Sequence, residues 1–100
     1  MLRVFISQPM NGKTGKEIKE ERLKIVSKLS ETVDEPFKVI DSFFESAPHG
    51  AKPLWFLGKS IELLSTADLA YFAKGWENAR GCSIEHSCAV AYMIETIIAE

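Results

Sequence analysis

The sequence predicts a small α/β protein whose parallel sheet of about four strands is covered by helices on both faces, in three layers. Two observations predict this class. Short apolar segments rich in branched and aromatic residues alternate with longer segments whose apolar residues recur at helical spacing, in the order β-α-β-α-β-α-β. Strands joined by helices pair in parallel through right-handed crossovers, and both faces of such a sheet are buried.

The whole chain, residues 1–100, is expected to form a single domain. Its 100 residues are 46% hydrophobic and 26% charged, which is typical of a globular domain with one core. A net charge of -2, with lysines interleaved among glutamates, excludes the basic surface that a nucleic-acid polymer requires. No apolar run approaches the ~18 residues of a membrane span, and Met1 leads directly into a strand-like segment instead of a signal peptide. We therefore expect a cytoplasmic protein with no membrane partner.

The first half of the chain contains two predicted strands and a helix. Residues 2–6 are rich in branched and aromatic residues and are followed, after Ser7, by the loop sequence Gln-Pro-Met-Asn-Gly, which indicates a strand followed by a loop. Isoleucine, leucine and valine then recur at helical spacing over residues 14–32. Residues 37–40 form the second predicted strand, and residues 46–53, with two prolines and a glycine, form a loop.

The second predicted helix is unusually apolar. It begins at Pro53, a residue suited to a first helical turn, and its apolar residues form two adjoining stripes. Such a helix is either buried inside the fold or covered by another subunit, and a domain this small offers little interior. We therefore expect a homodimer or higher homo-oligomer that forms through the helix around residues 54–67.

The second half of the chain completes the sheet. Residues 69–72 are predicted as the third strand and residues 75–80 as a loop. A third helix follows from residue 81 or 82 to residue 93, and residues 94–98 form the last strand. This arrangement is typical of small Rossmann-like or flavodoxin-like sheets, in which ligands bind beyond the carboxyl ends of the strands where the winding reverses.

The strand-end rule selects a set of candidate substrate-binding residues. After the first, second and third strands in turn, these are Ser7, Gln8, Met10 and Asn11; Asp41 and Ser42; and, within the loop of residues 74–80, Trp76, Asn78 and Arg80. Trp76 could stack on a base, or it could belong to the core. Asp68 precedes the third strand, so we expect it at the opposite edge, where it shapes a turn.

Glu85 lies in the third predicted helix on the same side as Cys88 and Ala89, so it points along an apolar stripe. Two interpretations follow from its position. With Cys82 as the N-cap, Glu85 would occupy N3 and cap the helix. Alternatively, a half-buried carboxylate at the ligand edge is ionised yet poorly hydrated, which suits a nucleophile that attacks the anomeric carbon of a sugar.

The two cysteines of the chain also raise the question of a disulfide or a metal. Cys82 and Cys88 lie on one predicted helix at a spacing that aims them differently, so we expect no disulfide between them. Cys82 and His86 have the i, i+4 spacing of metal ligands, but no second pair of ligands accompanies them, and no metal site is expected.

Three segments resemble the nucleoside 2-deoxyribosyltransferase superfamily, which includes the deoxynucleoside monophosphate N-glycosidases. They are FISQPM at residues 5–10, ADLAYF at residues 67–72 and the pattern GxxxExxxA at residues 81–89. More narrowly, ISQPMNG together with RGCxIEH is similar to a group of short bacterial and phage domains of unknown function within that superfamily.

The resemblance implies a site and a reaction. Glu85 falls on the nucleophile of the family, and residues 78–83, including Gly81 and Cys82, fall on the loop that holds the sugar or its 5′-phosphate. The substrate is a nucleoside or nucleotide, and the implied reaction cleaves the N-glycosidic bond of a deoxynucleoside or its 5′-monophosphate, or transfers the deoxyribosyl group. No cofactor is implied.

The chain departs from the family pattern at two positions. Phe5 replaces a tyrosine whose hydroxyl orients the nucleophile, and Ser60 replaces an aspartate that handles the base. Asp41, Glu62 or His86 could take over the proton transfer. Two other hypotheses therefore stay open: a nucleotide or nucleotide-sugar binding module without catalysis, and a structural oligomeric domain.

Overall fold

The structure, a computed structural model, describes residues 1–44 and 47–99. These residues form one all-parallel sheet of four strands, and one α-helix lies between each strand and the next in the chain. The elements are β1 (Leu2–Ser7), α1 (Gly15–Thr32), β2 (Phe37–Val39), α2 (Pro53–Leu64), β3 (Leu69–Phe72), a 3₁₀ turn (Trp76–Asn78), α3 (Arg80–Ala91) and β4 (Glu95–Ile98). The predicted α/β class and the predicted order of the elements are confirmed.

The order of the strands in the sheet is β2-β1-β3-β4. From β1 the chain moves to β2 on one side and then crosses back to β3 on the other side of β1. The winding therefore reverses between β1 and β3, whose carboxyl ends align with Ser7 opposite Phe72. This point of reversal is where parallel α/β sheets bind ligands.

Two apolar clusters pack on opposite faces of the sheet and make the three layers. On the face covered by α1, the α1 face, the buried residues are Val4, Ile6, Ile25, Leu29, Leu69, Tyr71 and Ala73. On the face covered by α2 and α3, the α2/α3 face, they are Phe5, Ile40, Leu64, Ala70, Phe72 and Ala89. Neighbouring residues of β1 alternate between the clusters, because successive side chains of a strand point to opposite faces.

The observed helix ends refine the predicted ones. Thr14 is the N-cap of α1 and forms a capping box with Glu17, in which each side chain bonds the other's backbone N–H at 3.1 and 2.9 Å. Helix α2 ends at Leu64, before residue 67, because the Thr66 hydroxyl bonds the carbonyl of Leu63 at 2.7 Å. Helix α3 ends at Ala91, and Met93 turns the chain with a positive φ of 58°.

Asp68 and the loop before α2 lie where the sequence predicts them. Asp68 lies at the opposite edge from the carboxyl ends of the strands, where its carboxylate accepts a 2.8 Å bond from the backbone N–H of Arg3. The predicted loop 46–53 is confirmed from residue 47 to the start of α2, and Ser46 lies outside the described residues. Among the helices that the structure describes, none is long and apolar enough to cross a membrane.

Candidate active site

A cavity of about 1000 Å³ lies at the carboxyl edge of the sheet, at the point of reversal between β1 and β3. Its wall is formed by the end of β1 and the following loop, the segment after β2, one side of α2, and the start of α3. The polar residues of this wall are Ser7, Gln8, Asn11, Ser42, Ser60, Asn78, Arg80, Cys82 and Glu85. The cavity therefore joins most of the residues selected by the strand-end rule.

Ser7 and Glu85 form a buried hydrogen-bonded pair in this cavity. The Ser7 hydroxyl donates to Glu85 Oε1 at 2.7 Å, and the two residues are 2% and 7% exposed. Ser7 is the last residue of β1 and Glu85 lies in the second turn of α3, so the bond joins the sheet to the helix. A serine donor in this position fixes the rotation of the carboxylate.

Glu85 does not cap its helix, and the interpretation with Cys82 as the N-cap is wrong. Helix α3 begins at Arg80 with Ala79 as its N-cap, and the first helical bond runs from Ser83 N to Ala79 O at 2.9 Å. The early start has a local cause. Gly75, in the left-handed conformation with φ 90°, turns the chain from β3 into the 3₁₀ turn that leads directly to Ala79.

Burial raises the pKa of Glu85 above its ordinary value of 4.5. The hydroxyls of Ser7 and Ser60 and the charge of Arg22 act in the opposite direction and lower it. A buried carboxylate is poorly solvated, while these neighbours favour its ionised form. The arrangement yields a weakly hydrated carboxylate, which is the state in which a carboxylate is an effective nucleophile.

Within β1, the hydroxyl that orients the carboxylate of Glu85 comes from Ser7 and not from position 5. Phe5 has no hydroxyl and therefore offers no hydrogen bond to the carboxylate. Its ring is 1% exposed and packs with the buried residues of the α2/α3 face. Ser7 lies two residues further along β1 and therefore on the same face of the strand. The period of two along a strand is the signal by which the sequence could have indicated this replacement.

Ser60 and Cys82 complete the immediate surroundings of Glu85. Ser60 lies on α2, lines the cavity and is near enough to lower the pKa of the carboxyl. Burial raises the pKa of the Cys82 thiol, partly opposed by the Ser7 hydroxyl and reinforced by the negative charge of Glu85. The thiol is thus held in its protonated form, which is a poor nucleophile. Cys82 and Cys88 are both free.

Gln8 contributes to the wall of the cavity, but its amide is bonded on both sides. Its Nε2 donates to the Ile18 carbonyl at 3.3 Å and to Glu21 at 3.0 Å, and its Oε1 accepts from Arg22 at 2.7 Å. Glu21 in turn is paired with Lys13 at 2.8 Å. Gln8 therefore anchors the loop after β1 to α1.

Arg22 is a functional candidate that sequence reasoning missed. Its guanidinium is half-buried behind the end of β1 and donates to the Ile6 carbonyl at 3.4 Å and to the Ser42 hydroxyl at 3.2 Å. Burial lowers the pKa of Arg22, opposed by the charges of Asp41 and Glu85. A signal was present, because Arg22 falls on the apolar stripe of α1, one turn after Ile18.

The other candidate residues fall into two sets. Met10, Asn11, Asn78, Arg80 and Gly81 line the cavity, with Asn11, Asn78 and Arg80 exposed at its rim. Asp41 and Trp76 do not line it. Asp41 is exposed at the end of β2, and Trp76 stacks on His86 with ring centroids 4.2 Å apart.

The proton-transfer candidates of the sequence are also away from the wall. Neither Asp41, Glu62 nor His86 is among the residues lining the cavity. His86 belongs instead to a cluster of three rings, in which it stacks on Trp76 with centroids 4.2 Å apart and meets Phe72 edge-on at 5.0 Å. The groups of the described wall that carry an exchangeable proton near Glu85 are the Ser7, Ser60 and Cys82 side chains.

The rest of the wall is apolar and aromatic. Phe43, Phe44, Phe56, Leu57 and Pro53 line it, and sequence reasoning did not select them. The rings of Phe44 and Phe56 lie 6.4 Å apart. A flat, weakly polar group such as a nucleobase is the kind of ligand that this surface accommodates. The doublet of phenylalanines at residues 43 and 44, in the segment after β2, was the available signal.

Within residues 1–44 and 47–99, no cluster of three or more His, Cys, Asp or Glu side chains could hold a metal ion.

The fold and the cavity together define the class: a small parallel α/β protein with a buried hydroxyl–carboxylate pair in a cleft at the switch point of its sheet. Comparison with models of known protein families gives no match, and comparison with curated proteins gives none.

Proposed function

We propose that the protein is an enzyme acting on the N-glycosidic bond of a deoxynucleoside or its 5′-monophosphate, with Glu85 as the nucleophile. One observation carries the proposal: a buried carboxylate, held by the Ser7 hydroxyl at 2.7 Å, faces a cavity of about 1000 Å³ with an aromatic wall. A cavity of this size accommodates a nucleotide. The similarity of residues 5–10 and 81–89 to the nucleoside 2-deoxyribosyltransferase superfamily supports the same reaction.

The chemistry proceeds in two displacements at the anomeric carbon. In the first, a carboxylate oxygen of Glu85 forms a bond to C1′ as the bond from C1′ to the base nitrogen breaks. The base leaves with the electron pair and takes up a proton from solvent water. In the second, water attacks C1′, loses a proton to solvent and releases Glu85 as a carboxylate, giving the free sugar or sugar phosphate. Deoxyribosyl transfer uses a second base nitrogen in place of that water.

Each part of the cavity has a role in this proposal. Ser7 orients the nucleophile, and the aromatic wall around Phe44 and Phe56 receives the base. Arg80 and Asn78 lie at the rim beside the start of α3, whose first backbone N–H groups have no side-chain cap. Free amides at a helix N-terminus favour an anion, so the 5′-phosphate belongs at this end of the cavity.

The test is base release from a panel of deoxynucleosides and their monophosphates, with and without added free bases, monitored by chromatography. Wild-type protein should release or exchange base, and Glu85→Gln should reduce the rate by at least ~100-fold, as loss of a nucleophile does. Glu77→Gln is the matched control, because Glu77 is an exposed carboxylate outside the cavity wall. A wild type without activity, or a Glu85→Gln variant as active as wild type, contradicts the proposal.

A binding module for nucleotides or nucleotide sugars is the second candidate. The absence of a hydroxyl at Phe5 and of a carboxylate at Ser60 favours it, since the chain then keeps the pocket without two of the family's catalytic groups. In that case the same compounds raise the melting temperature without any release of base.

Action in the cytoplasm and assembly through α2 are further parts of the proposal. Leu54 of α2 is 77% exposed and Phe56 is 36% exposed in a single chain. A second subunit that packs on α2 would bury this apolar surface. A purely structural role for such an assembly predicts neither base release nor a shift in melting temperature with any of these compounds.

A further inference from the structure

The end of β1 is held from both sides of the sheet. Ile6 and Gln8 direct their side chains to the α1 face, while Ser7 between them faces α3. Arg22 of α1 bonds both neighbours of Ser7: its Nε donates to Gln8 Oε1 at 2.7 Å, and its Nη2 donates to the Ile6 carbonyl at 3.4 Å. The residue that orients Glu85 is therefore flanked by two groups that one guanidinium holds.

The same guanidinium also donates a hydrogen bond to the segment that follows β2. Its Nη2 donates to the Ser42 hydroxyl at 3.2 Å, and that hydroxyl donates to the Ile6 carbonyl at 3.4 Å. The Gln8 amide oxygen, the Ile6 carbonyl and the Ser42 hydroxyl thus all accept hydrogen bonds from one side chain. A guanidinium suits this task because its donors diverge in a rigid plane, whereas an ammonium offers a single point charge.

We propose that Arg22 is the positioning residue of the site: it fixes the chain on either side of Ser7 so that the Ser7 hydroxyl meets Glu85 and bonds its carboxylate. This inference rests on the proposed function of Glu85 as a nucleophile. Arg22 acts on Glu85 through Ser7 and also by its own charge, and it does not line the cavity. Arg22 thus has a role in the site although it lies on the α1 face of the sheet, opposite to Glu85.

Few charged groups surround Arg22 and Glu85. Arg22 faces Asp41 and Glu85, and both favour its charged form. Glu21 is reached from Arg22 through the amide of Gln8, and its charge is already paired with Lys13.

Around Glu85 the neighbours are Ser7, Ser60, Arg22 and the Cys82 thiol. The Cys82 thiol is protonated at neutral pH, because its pKa is raised. Arg22 is therefore the positive charge that acts on Glu85 from the α1 side, and its removal has a measurable consequence for the titration of the carboxyl.

The experiment follows the carboxyl carbon of Glu85 by NMR in the full chain as the pH is varied, in wild type, Arg22→Met, Ser7→Ala and the double variant. Arg22→Met and Ser7→Ala should each move the titration midpoint to higher pH. Because Arg22 acts through Ser7, Arg22→Met should move it less in the Ser7→Ala background than in wild type. Lys24→Met removes an exposed cation from the same helix and should leave the midpoint unchanged.

Two outcomes overturn the inference: an unchanged midpoint in Arg22→Met, or strictly additive shifts in the double variant. If Arg22→Met does not fold, Arg22→Lys takes its place and should give a smaller shift in the same direction, because lysine keeps the charge and loses the fork. An unchanged midpoint in Arg22→Lys likewise counts against it. The readout does not require turnover, so absence of base release by wild type rejects the proposed function separately.

Discussion

The hydroxyl of Ser7 donates to Glu85 Oε1 at 2.7 Å across the junction of β1 and α3, and both side chains are buried. The bond closes a gap of 78 residues in the chain. It joins the last residue of a central strand to the second turn of a helix that packs on the same face. A carboxylate placed in this way is oriented by the fold itself, as the proposed role of Glu85 as a nucleophile requires.

Replacement of Ser7 by alanine should impair catalysis and leave the fold intact. The loss of a hydrogen bond to a charged group, worth about 1.5–3 kcal/mol, leaves Glu85 less well oriented and raises its pKa further. We expect kcat/KM for base release to fall by roughly 10-fold or more, with the remaining activity shifted to higher pH. Ser87→Ala is the control, since Ser87 is an exposed hydroxyl on the same helix. Equal activity of Ser7→Ala and wild type would show that the bond has no catalytic role.

Glu85 should also govern how stability depends on pH. Burial raises its pKa above 4.5, so the folded chain binds this proton more tightly than the unfolded chain does. The contribution of Glu85 to the free energy of unfolding therefore falls as the pH rises from 4.5 through the raised folded value. Above that value the full cost of the buried charge is present.

Glu85→Gln removes that cost, so the variant should melt at a higher temperature than wild type at neutral pH. The difference should vanish as the pH falls below 4.5, where both folded and unfolded wild type carry the proton. Thermal denaturation across this range measures it, with the exposed Glu77→Gln as control. A constant difference at every pH would mean that the charge of Glu85 is not responsible.

Much of the fold could be predicted because it depends on local spacing. Period-two and helical patterns determine the order of the elements, and parallel pairing follows from the helices between the strands. The pairing of Ser7 with Glu85 depends instead on packing between distant segments. The boundary of α3 was misjudged because the left-handed Gly75 and the 3₁₀ turn set it. Sequence reasoning missed Arg22 because arginine side chains are ordinarily exposed, and the position on the apolar stripe of α1 was not weighed against that tendency.

Ser60→Asp tests the effect of a second negative charge beside Glu85. Ser60 lines the cavity, and its hydroxyl lowers the pKa of Glu85. A second carboxylate there would repel the first, so the pKa of Glu85 should rise and the chain should melt at a lower temperature at neutral pH than at acid pH. Ser60→Asn, of similar size and without charge, is the control. If Ser60→Asp and Ser60→Asn melt alike at every pH, the two side chains do not interact.

The α1 face of the core should be sensitive to truncation. Leu29 is 1% exposed and packs in the α1 cluster, whereas Leu23 on the same helix is 70% exposed. Leu29→Ala should destabilise the fold by about 2–5 kcal/mol and lower the melting temperature by roughly 10–30 °C. Leu23→Ala should change the free energy of unfolding by less than ~0.5 kcal/mol. Similar losses in both variants would contradict the packing of α1 on the sheet.

Assembly through α2 makes a prediction about Leu54. Its side chain is 77% exposed in the single chain, and a subunit packed on α2 would bury it. A glutamate in an apolar interface is costly because its charge loses water without gaining a partner. Leu54→Glu should therefore lower the mass measured by light scattering to that of a single chain, while wild type scatters as a dimer or larger. Leu23→Glu, an equally polar change at an exposed leucine of α1, should leave the wild-type mass unchanged. A wild type that scatters as one chain, or a Leu54→Glu variant that keeps the larger mass, would show that α2 is not the interface.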